Sequence, residues 1–415
     1  AHHMASTKAL DAAYDVAPTP TAKKLRELMY SGYYVYDHTL HFYFLGAPDF
    51  VVGPDAPPTE RNIFGVLKKV GLDVGKEVIK HRAYGQRVIE ILGGKATHPT
   101  SGLPGGVSKG LNEEERKEIE EMARSSIEFA RFTLRVFNDV VLGNKGYVDL
   151  ILSDPYQLKT YNMGLVDENN RVNFYDGDIR VTDQKGREHD RFQAKDYLDY
   201  ISEHVEPWTY SKFTYLKEVG WKGLTDGQDS GIYRVGPLGR LNASDGMTTP
   251  LADEEFKRMY KTLGGKPVNS TLAFHWARLV ELLYATERTL ELATDPEITG
   301  TGLRNPVGKP GEGVGVVEAA RGTLYHHYKL DSEGLVEKAN LIVATTNNYA
   351  PICVSIRDAA SGLIKGGKVS EGLLNKVEMA FRAYDPCFAC STHSLPGQMP
   401  LAVEIYDSRG SLYKR

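Results

Sequence analysis

Cysteine is nearly missing from this chain of 415 residues, which holds three: Cys353, Cys387 and Cys390. So few, and an odd number, exclude a disulfide framework. A chain this long buries enough of its unfolded surface to need no such staples. Apolar runs of the roughly 18 residues that cross a bilayer are also missing, so no transmembrane helix is expected. The opening residues carry no charged segment followed by an apolar one, which predicts no Sec-type signal. Neither sign of charge dominates: 50 Lys and Arg stand against 54 Asp and Glu, a formal net charge of −4. That balance makes a dominant phosphate-binding surface, and hence a nucleic-acid partner, unexpected. The dinucleotide fingerprint G-x-G-x-x-G is absent too. The stretch GEGVGV (311–316) imitates it without a strand before and a helix after.

What is present is ordinary for a globular protein. Hydrophobic residues make up 41% and charged residues 25% of the chain, which excludes a disordered or collagen-like polymer. Helical periodicity runs over 20–34, through the aromatic DHTLHFYFLGAPDF (37–50), and over 61–91, where Gly65, Gly71 and Gly75 suggest close packing against a neighbour. Three prolines in 51–60 and the Gly/Ser/Pro-rich 96–110 read as loops. Asn112 with Glu115 forms a capping-box pattern that opens a helix to about Val141, its acidic first turn suiting the helix dipole. Residues 160–195 alternate around a D-G turn and read as a small β-region. Helices return at 251–264, 270–293 and 370–383, and 314–348 reads as strand, DSEG turn, strand. Long helices with small antiparallel pieces, and no regular βα alternation, define a mainly α, α+β fold. The expectation is one large domain, 1–415.

Few residues suggest chemistry. Cys387 and Cys390 form C-x-x-C with His393 three further on; soft thiolates favour zinc, iron, nickel or iron–sulfur centres. The spacing alone also allows a redox disulfide, half a zinc site or two core thiols. Cys353, in PICVSI, reads as a small buried hydrophobe. Arg321 sits in the apolar, Gly-flanked EAARG, where burial demands an anionic partner: either a structural ion pair or a cation held over a reacting centre. His38, His41, His98, His275, His326 and His327 read as core or supporting histidines, the run Glu113–Glu121 as a solvated helix face, and Asp49 as a loop cap.

Six stretches together resemble the large, catalytic subunit of nickel–iron hydrogenases: DHTLHFYFLGAPDF (37–50), GGKATHPTSGLPGGVSKGL (93–111), GIYRVGPLGRLN (231–242), HWARLVELL (275–283), EAARGTLYHH (318–327) and RAYDPCFACSTH (382–393). They span essentially the whole chain, and DPC-x-x-C-x-x-H is far more specific than a lone C-x-x-C. The subgroup they resemble is the cytoplasmic methyl-viologen-reducing enzymes of methanogens, which feed a heterodisulfide-reductase-type complex. The resemblance implies a fold built on a central bundle of long helices. It also implies a nickel bound by four thiolates, two of them bridging to an iron that carries carbon monoxide and cyanide. On that likeness Cys387 is a terminal nickel thiolate, Cys390 bridges nickel and iron, and His393 holds a magnesium or iron ion near the C-terminus. Arg321 then hangs over the open metal face, Asp385 and Asp49 orient it and its hydrogen bonds, and His2 follows the first cysteine pair. Iron–sulfur clusters would sit only in a partner small subunit. Beyond it the likeness implies a heterodisulfide-reductase-type complex with its electron-transfer subunit.

The sequence departs from the pattern at its start. The family motif R-x-C-G-x-C would fall just ahead of Ala1, so the chain itself supplies two of the four nickel thiolates. The expected explanation is a fragment of a longer protein. A split subunit, or a metal-free paralogue serving as a structural subunit of an electron-transfer complex, are the alternatives. The tail 394–415 resembles the extension that a maturation protease removes after His393.

Overall fold

The structure, a computed structural model, describes residues 1–209 and 211–387, with 405–406, 409–410 and 412–414 near the C-terminus. Cys390 and His393 lie outside the described residues. In chain order the helices are α1 (His2–Ala13), α2 (Pro20–His41), α3 (Ile63–Val70), α4 (Leu72–Gly93), α5 (Glu113–Phe137), α6 (Lys145–Leu152), α7 (Tyr197–Tyr200), α8 (Gly236–Ala243), α9 (Pro250–Thr262), α10 (Phe274–Ala293), α11 (Tyr349–Leu363) and α12 (Glu371–Arg382). The strands are β1 (Gly102–Leu103), β2 (Gly106–Val107), β3 (Tyr161–Val166), β4 (Asp178–Thr182), β5 (Glu188–Phe192), β6 (Ile201–Val205), β7 (Lys212–Leu216), β8 (Tyr233–Arg234), β9 (Glu312–Ala319), β10 (Gly322–Leu330), β11 (Val336–Ile342), β12 (Ile405–Tyr406) and β13 (Leu412–Lys414). No described helix is long and apolar enough to cross a membrane.

The core is helical. α2 packs against α4 and α10, and α10 also lies on α5 and α9. Every residue of α10 from Phe274 to Glu287 is buried, including Arg278, Glu281 and Glu287, so this helix runs through the middle of the molecule. α2 starts where Thr19 accepts the Ala22 amide at 3.1 Å and Pro20 takes the first turn. At its far end the chain widens into π-helical turns at Phe42–Gly46 and Pro48–Val52, the second carrying Asp49. α2 and α4 approach most closely at two glycines: a Cβ on Gly85 would stand 2.6 Å from the Gly32 carbonyl. The capping box of α5 forms as read, Asn112 and Glu115 bonding reciprocally.

Two small β-layers flank the bundle. β9–β10–β11 is an antiparallel sheet, and β5–β4–β3–β8 is a four-stranded sheet whose β3–β8 pair is parallel. Ala319 pairs with Gly322, so a two-residue turn, Ala320–Arg321, joins β9 to β10. Gly322 has φ +141° and packs on Val235, where a Cβ would stand 2.2 Å from Cγ2. No other residue fits after Arg321 without moving one of these strands.

Several readings change. The 314–348 segment holds three strands, the extra reversal being the Arg321 turn. α1, α6 and α11 were not foreseen; α11 opens with Pro351 and β-branched residues, which the first turn tolerates. Gly71 breaks the helix of 61–91 through its φ of +91°. A Cβ placed there would meet nothing within 4 Å, so conformation rather than packing selects the glycine. His98 is exposed and His327 half-buried; neither is a core histidine.

Candidate active site

Arg321 projects from its turn between two acids on distant elements. Its Nη1 donates to Asp37 Oδ2 on α2 at 3.3 Å, and Nη2 lies 3.4 and 3.3 Å from the two oxygens of Asp385, just past α12. The turn is clamped: Asn348 donates to the Arg321 carbonyl at 3.3 Å and the Tyr33 hydroxyl accepts the Ala320 amide at 3.3 Å. Burial opposes the charged guanidinium, but Asp37 and Asp385 outweigh it and hold Arg321 protonated. Asp385 feels the opposite balance: burial, together with Asp37, lifts its carboxyl to about 7 against Arg321 and Arg278. Its backbone is left-handed, φ +56°, which turns the chain out of α12 toward Cys387. The Cys387 amide donates to Thr345 Oγ1 at 3.2 Å.

A second arginine lies beneath. Arg278 on α10 donates through Nη2 to the Ala383 carbonyl at 2.9 Å, and burial pushes it down to about 10 despite Asp385 and Glu281. Below it Arg240 bonds Glu281 and, at 2.5 Å, Glu318, while His38 bonds Glu281 at 2.8 Å. Burial alone would raise Glu281; Arg240 and His38 overcome it and its pKa falls. This buried charge network fixes α2, α8, α10 and β9 relative to one another.

Several polar atoms in this region are left over. Asp37 Oδ1, Asp385 Oδ2, Arg321 Nε, and Arg278 Nε and Nη1 are buried without a hydrogen-bond partner among the described residues. Buried orphans of this kind call for a bound ion or group. Ala1 is close by, near enough to Asp37 and Arg321 for their charges to act at its backbone nitrogen.

The residues singled out from sequence are only partly gathered here. Arg321 and Asp385 meet, and Cys387 follows two residues later. Asp49 does not orient Arg321: it is buried, accepts Arg382 Nη1 at 2.5 Å and Asn375 at 3.1 Å, and lies 3.8 Å from Arg61. It is no loop cap either, but an anchor for α12. Asp37 occupies the place expected for Asp49. His2 bonds His326 Nε2 at 2.9 Å, and His326 in turn meets the Tyr328 hydroxyl at 2.5 Å. Cys353 is half-buried against apolar neighbours, its thiol pushed up by burial. Asp37 and Arg278 were missed, although each is a charge inside an apolar helical stretch, a signal that burial will demand a partner.

The family profile described as nickel-dependent hydrogenase matches residues 1–57 and 142–393. An F420-non-reducing hydrogenase iron-sulfur subunit of Archaeoglobus profundus is 52% identical over 415 residues, 100% of this chain and 85% of that protein. An F420-non-reducing hydrogenase subunit of Methanothermobacter thermautotrophicus is 40% identical over 422 aligned residues, 100% of this chain and 86% of that one. The crystal structure of an NAD+-reducing [NiFe]-hydrogenase in the H2-reduced state superposes with a TM-score of 0.85 at 36% identity, covering 94% of this chain and 85% of that chain. The chain belongs to the nickel-dependent hydrogenase family. It is a catalytic large subunit, an oxidoreductase acting on dihydrogen, and the expected mainly helical fold is the fold observed.

The described residues fit a nickel–iron centre. Once reduced, Cys387 would offer a soft thiolate, which a metal would keep deprotonated. Two guanidinium groups with unused N–H donors, Arg321 and Arg278, suit a thiolate-rich group that carries negative charge.

Proposed function

We propose that Cys387 and Cys390 hold one side of the nickel–iron centre and that Arg321, set by Asp37 and Asp385, works above it. The observation that carries this reading is the Asp37–Arg321–Asp385 bridge with its orphaned buried atoms, two residues from Cys387. When bound, the group supplies an electrophilic metal site at which dihydrogen, otherwise only weakly polar, is polarised.

Heterolytic cleavage then needs a base close by. Arg321 is a poor one, because two carboxylates keep its guanidinium charged. The Cys387 sulfur is therefore assigned the proton, and Arg321 stabilises the charge that develops beside it. Asp37 and Asp385 keep the guanidinium plane fixed. In this reading Cys390 would be the second thiolate holding the metals, His393 would hold a magnesium or iron ion, and the iron would carry carbon monoxide and cyanide. His2, next to Ala1, is held in place by His326. Asp49 is reassigned to positioning α12 through Arg382. The remaining two thiolates come from an R-x-C-G-x-C motif joined ahead of Ala1 or from another chain. Ala1 lies near Asp37 and Arg321, so donors attached there would enter at this cluster.

Electrons leave to iron–sulfur clusters of a small subunit, since three cysteines cannot ligate a chain of clusters, each of which takes about four. The likeness to the two F420-non-reducing enzymes supports onward transfer to a partner other than F420.

Elemental analysis and infrared spectroscopy of the complex purified from its own host test the reading. About one nickel per chain, with bands of iron-bound carbon monoxide and cyanide, is the expected result. Absence of both supports the metal-free paralogue, and zinc in place of nickel supports a zinc site at Cys387, Cys390 and His393.

A further inference from the structure

His189 and Asp190 are neighbours on β5, where strict alternation would send their side chains to opposite faces. The ladder with β4 slips at this point. Val181 pairs with Asp190 and Thr182 with Glu188, leaving His189 as an extra residue. Such a bulge re-aims side chains, and here it brings both residues to Glu218, which follows β7. One ligand atom from each of His189, Asp190 and Glu218 lies within 4.8 Å of the other two. Tyr161 packs beside the imidazole, its ring centre 4.8 Å away.

The three groups are under-partnered. His189 Nε2 is buried and makes no hydrogen bond among the described residues; Asp190 Oδ2 lies 3.6 Å from it. No described Lys or Arg pairs with Asp190 or Glu218, whereas Glu188 on the same strand takes both Arg180 and Arg191. Burial raises the Asp190 carboxyl and Glu218 raises it further, with His189 opposing. One imidazole and two facing carboxylates stand here with no Lys or Arg paired to them among the described residues.

We propose that His189, Asp190 and Glu218 bind a divalent transition cation of the zinc type, at a site that shares no residue with the Arg321 cluster. One imidazole and two carboxylates form a borderline-to-hard donor set, which suits zinc, manganese, iron or nickel and disfavours copper(I). Zinc holds such nitrogen and oxygen donors at about 2.0–2.2 Å, so closing the triad needs movements of the order of 1 Å, chiefly by the exposed Glu218. Water completes the coordination. The ion would tie β5, the edge strand of its sheet, to the turn after β7, joining two layers that are otherwise held by apolar packing of Phe192, Ile201 and Leu216.

The test compares the purified complex carrying the natural chain, His189→Ala or Glu218→Gln, each dialysed against Zn2+ and washed before elemental analysis. The natural chain is expected to retain one zinc more than either variant, with nickel content and hydrogen-dependent dye reduction equal in all three. Equal zinc in the natural chain and Glu218→Gln overturns the proposal. Glu218 is exposed, so that variant decides the matter if His189→Ala fails to fold. Nickel, read in the same samples, reports on the thiolate site independently, so loss of that centre is distinguished from loss of this one.

Discussion

Arg321 Nη2 sits 3.4 Å and 3.3 Å from the two oxygens of Asp385, a carboxyl group presented by a left-handed backbone turn. The pair joins the β9–β10 turn to the segment that leaves α12 for Cys387. A side chain in a rigid two-residue turn is thereby coupled to the chain that carries the thiolate. Asp37 closes the other side from α2, so three separate elements fix one guanidinium. Positioning of this kind is what a reaction sensitive to displacements of about 1 Å requires.

Arg321→Lys is expected to keep nickel and lose most turnover, at least tenfold. An ammonium carries the charge but cannot reach Asp37 and Asp385 from one fixed plane. Nickel content and hydrogen-dependent dye reduction check this. Normal turnover in the lysine variant would falsify the role given to Arg321.

Asp37→Asn removes one of the two charges that hold Arg321. A hydrogen bond to a charged group contributes about 1.5–3 kcal/mol, so a misplaced guanidinium should lower kcat roughly tenfold or more. Nickel content should stay at the natural level. Unchanged kcat would show that Asp385 alone positions the arginine.

The helices with local signals could be read directly from the sequence. The Asn112–Glu115 box acts within a few residues; the break at Gly71 and the reversal before Gly322 are missing from that reading, which takes 61–91 as helical throughout and 314–348 as two strands. Asp37 and Asp49 could not be told apart that way, because their partners lie 284 and 333 positions along the chain. Sequence places both in one aromatic helical stretch; only the docking of α12 sends Asp49 to Arg382 and leaves Asp37 to Arg321. The β5 bulge at His189 is likewise a property of pairing with β4, which no local pattern encodes.

Asp49→Asn should act on stability and assembly rather than on chemistry. Asp49 is fully buried, and breaking a buried pair costs about 3–5 kcal/mol. Arg382 is partly exposed and keeps Glu378 at 2.7 Å, so roughly 2–3 kcal/mol is expected. The melting temperature should fall by several degrees and nickel retention should drop with it. The activity per bound nickel should stay constant, which separates this residue from Arg321.

The histidines on the inner face of the bundle set a pH dependence. His41 and His275 stack at 5.8 Å, and His275 also meets Phe50 and lies 3.0 Å from where a Cβ on Gly46 would stand. Burial, with Arg278 close by, pushes His275 down from 6.5 to about 3 and His41 well below its usual value. Both are therefore neutral when folded, whereas the unfolded chain protonates them below about pH 6.5. Their contribution is fully present above that pH and is lost as pH falls toward about 3, because the unfolded state then binds more protons. Carboxylates held below their ordinary range, such as Asp176 and Asp183, weaken the fold only at pH near 4 and under. The window from about 6 to 4.5 thus reports on the histidines together with Asp385, whose raised carboxyl takes up its proton in the folded state and offsets one imidazole there. Each buried neutral imidazole steepens the loss there by about 1.4 kcal/mol per pH unit. His275→Gln should flatten the profile of urea midpoint against pH by one such increment, and an unchanged slope would mean that His275 takes up its proton in the folded state.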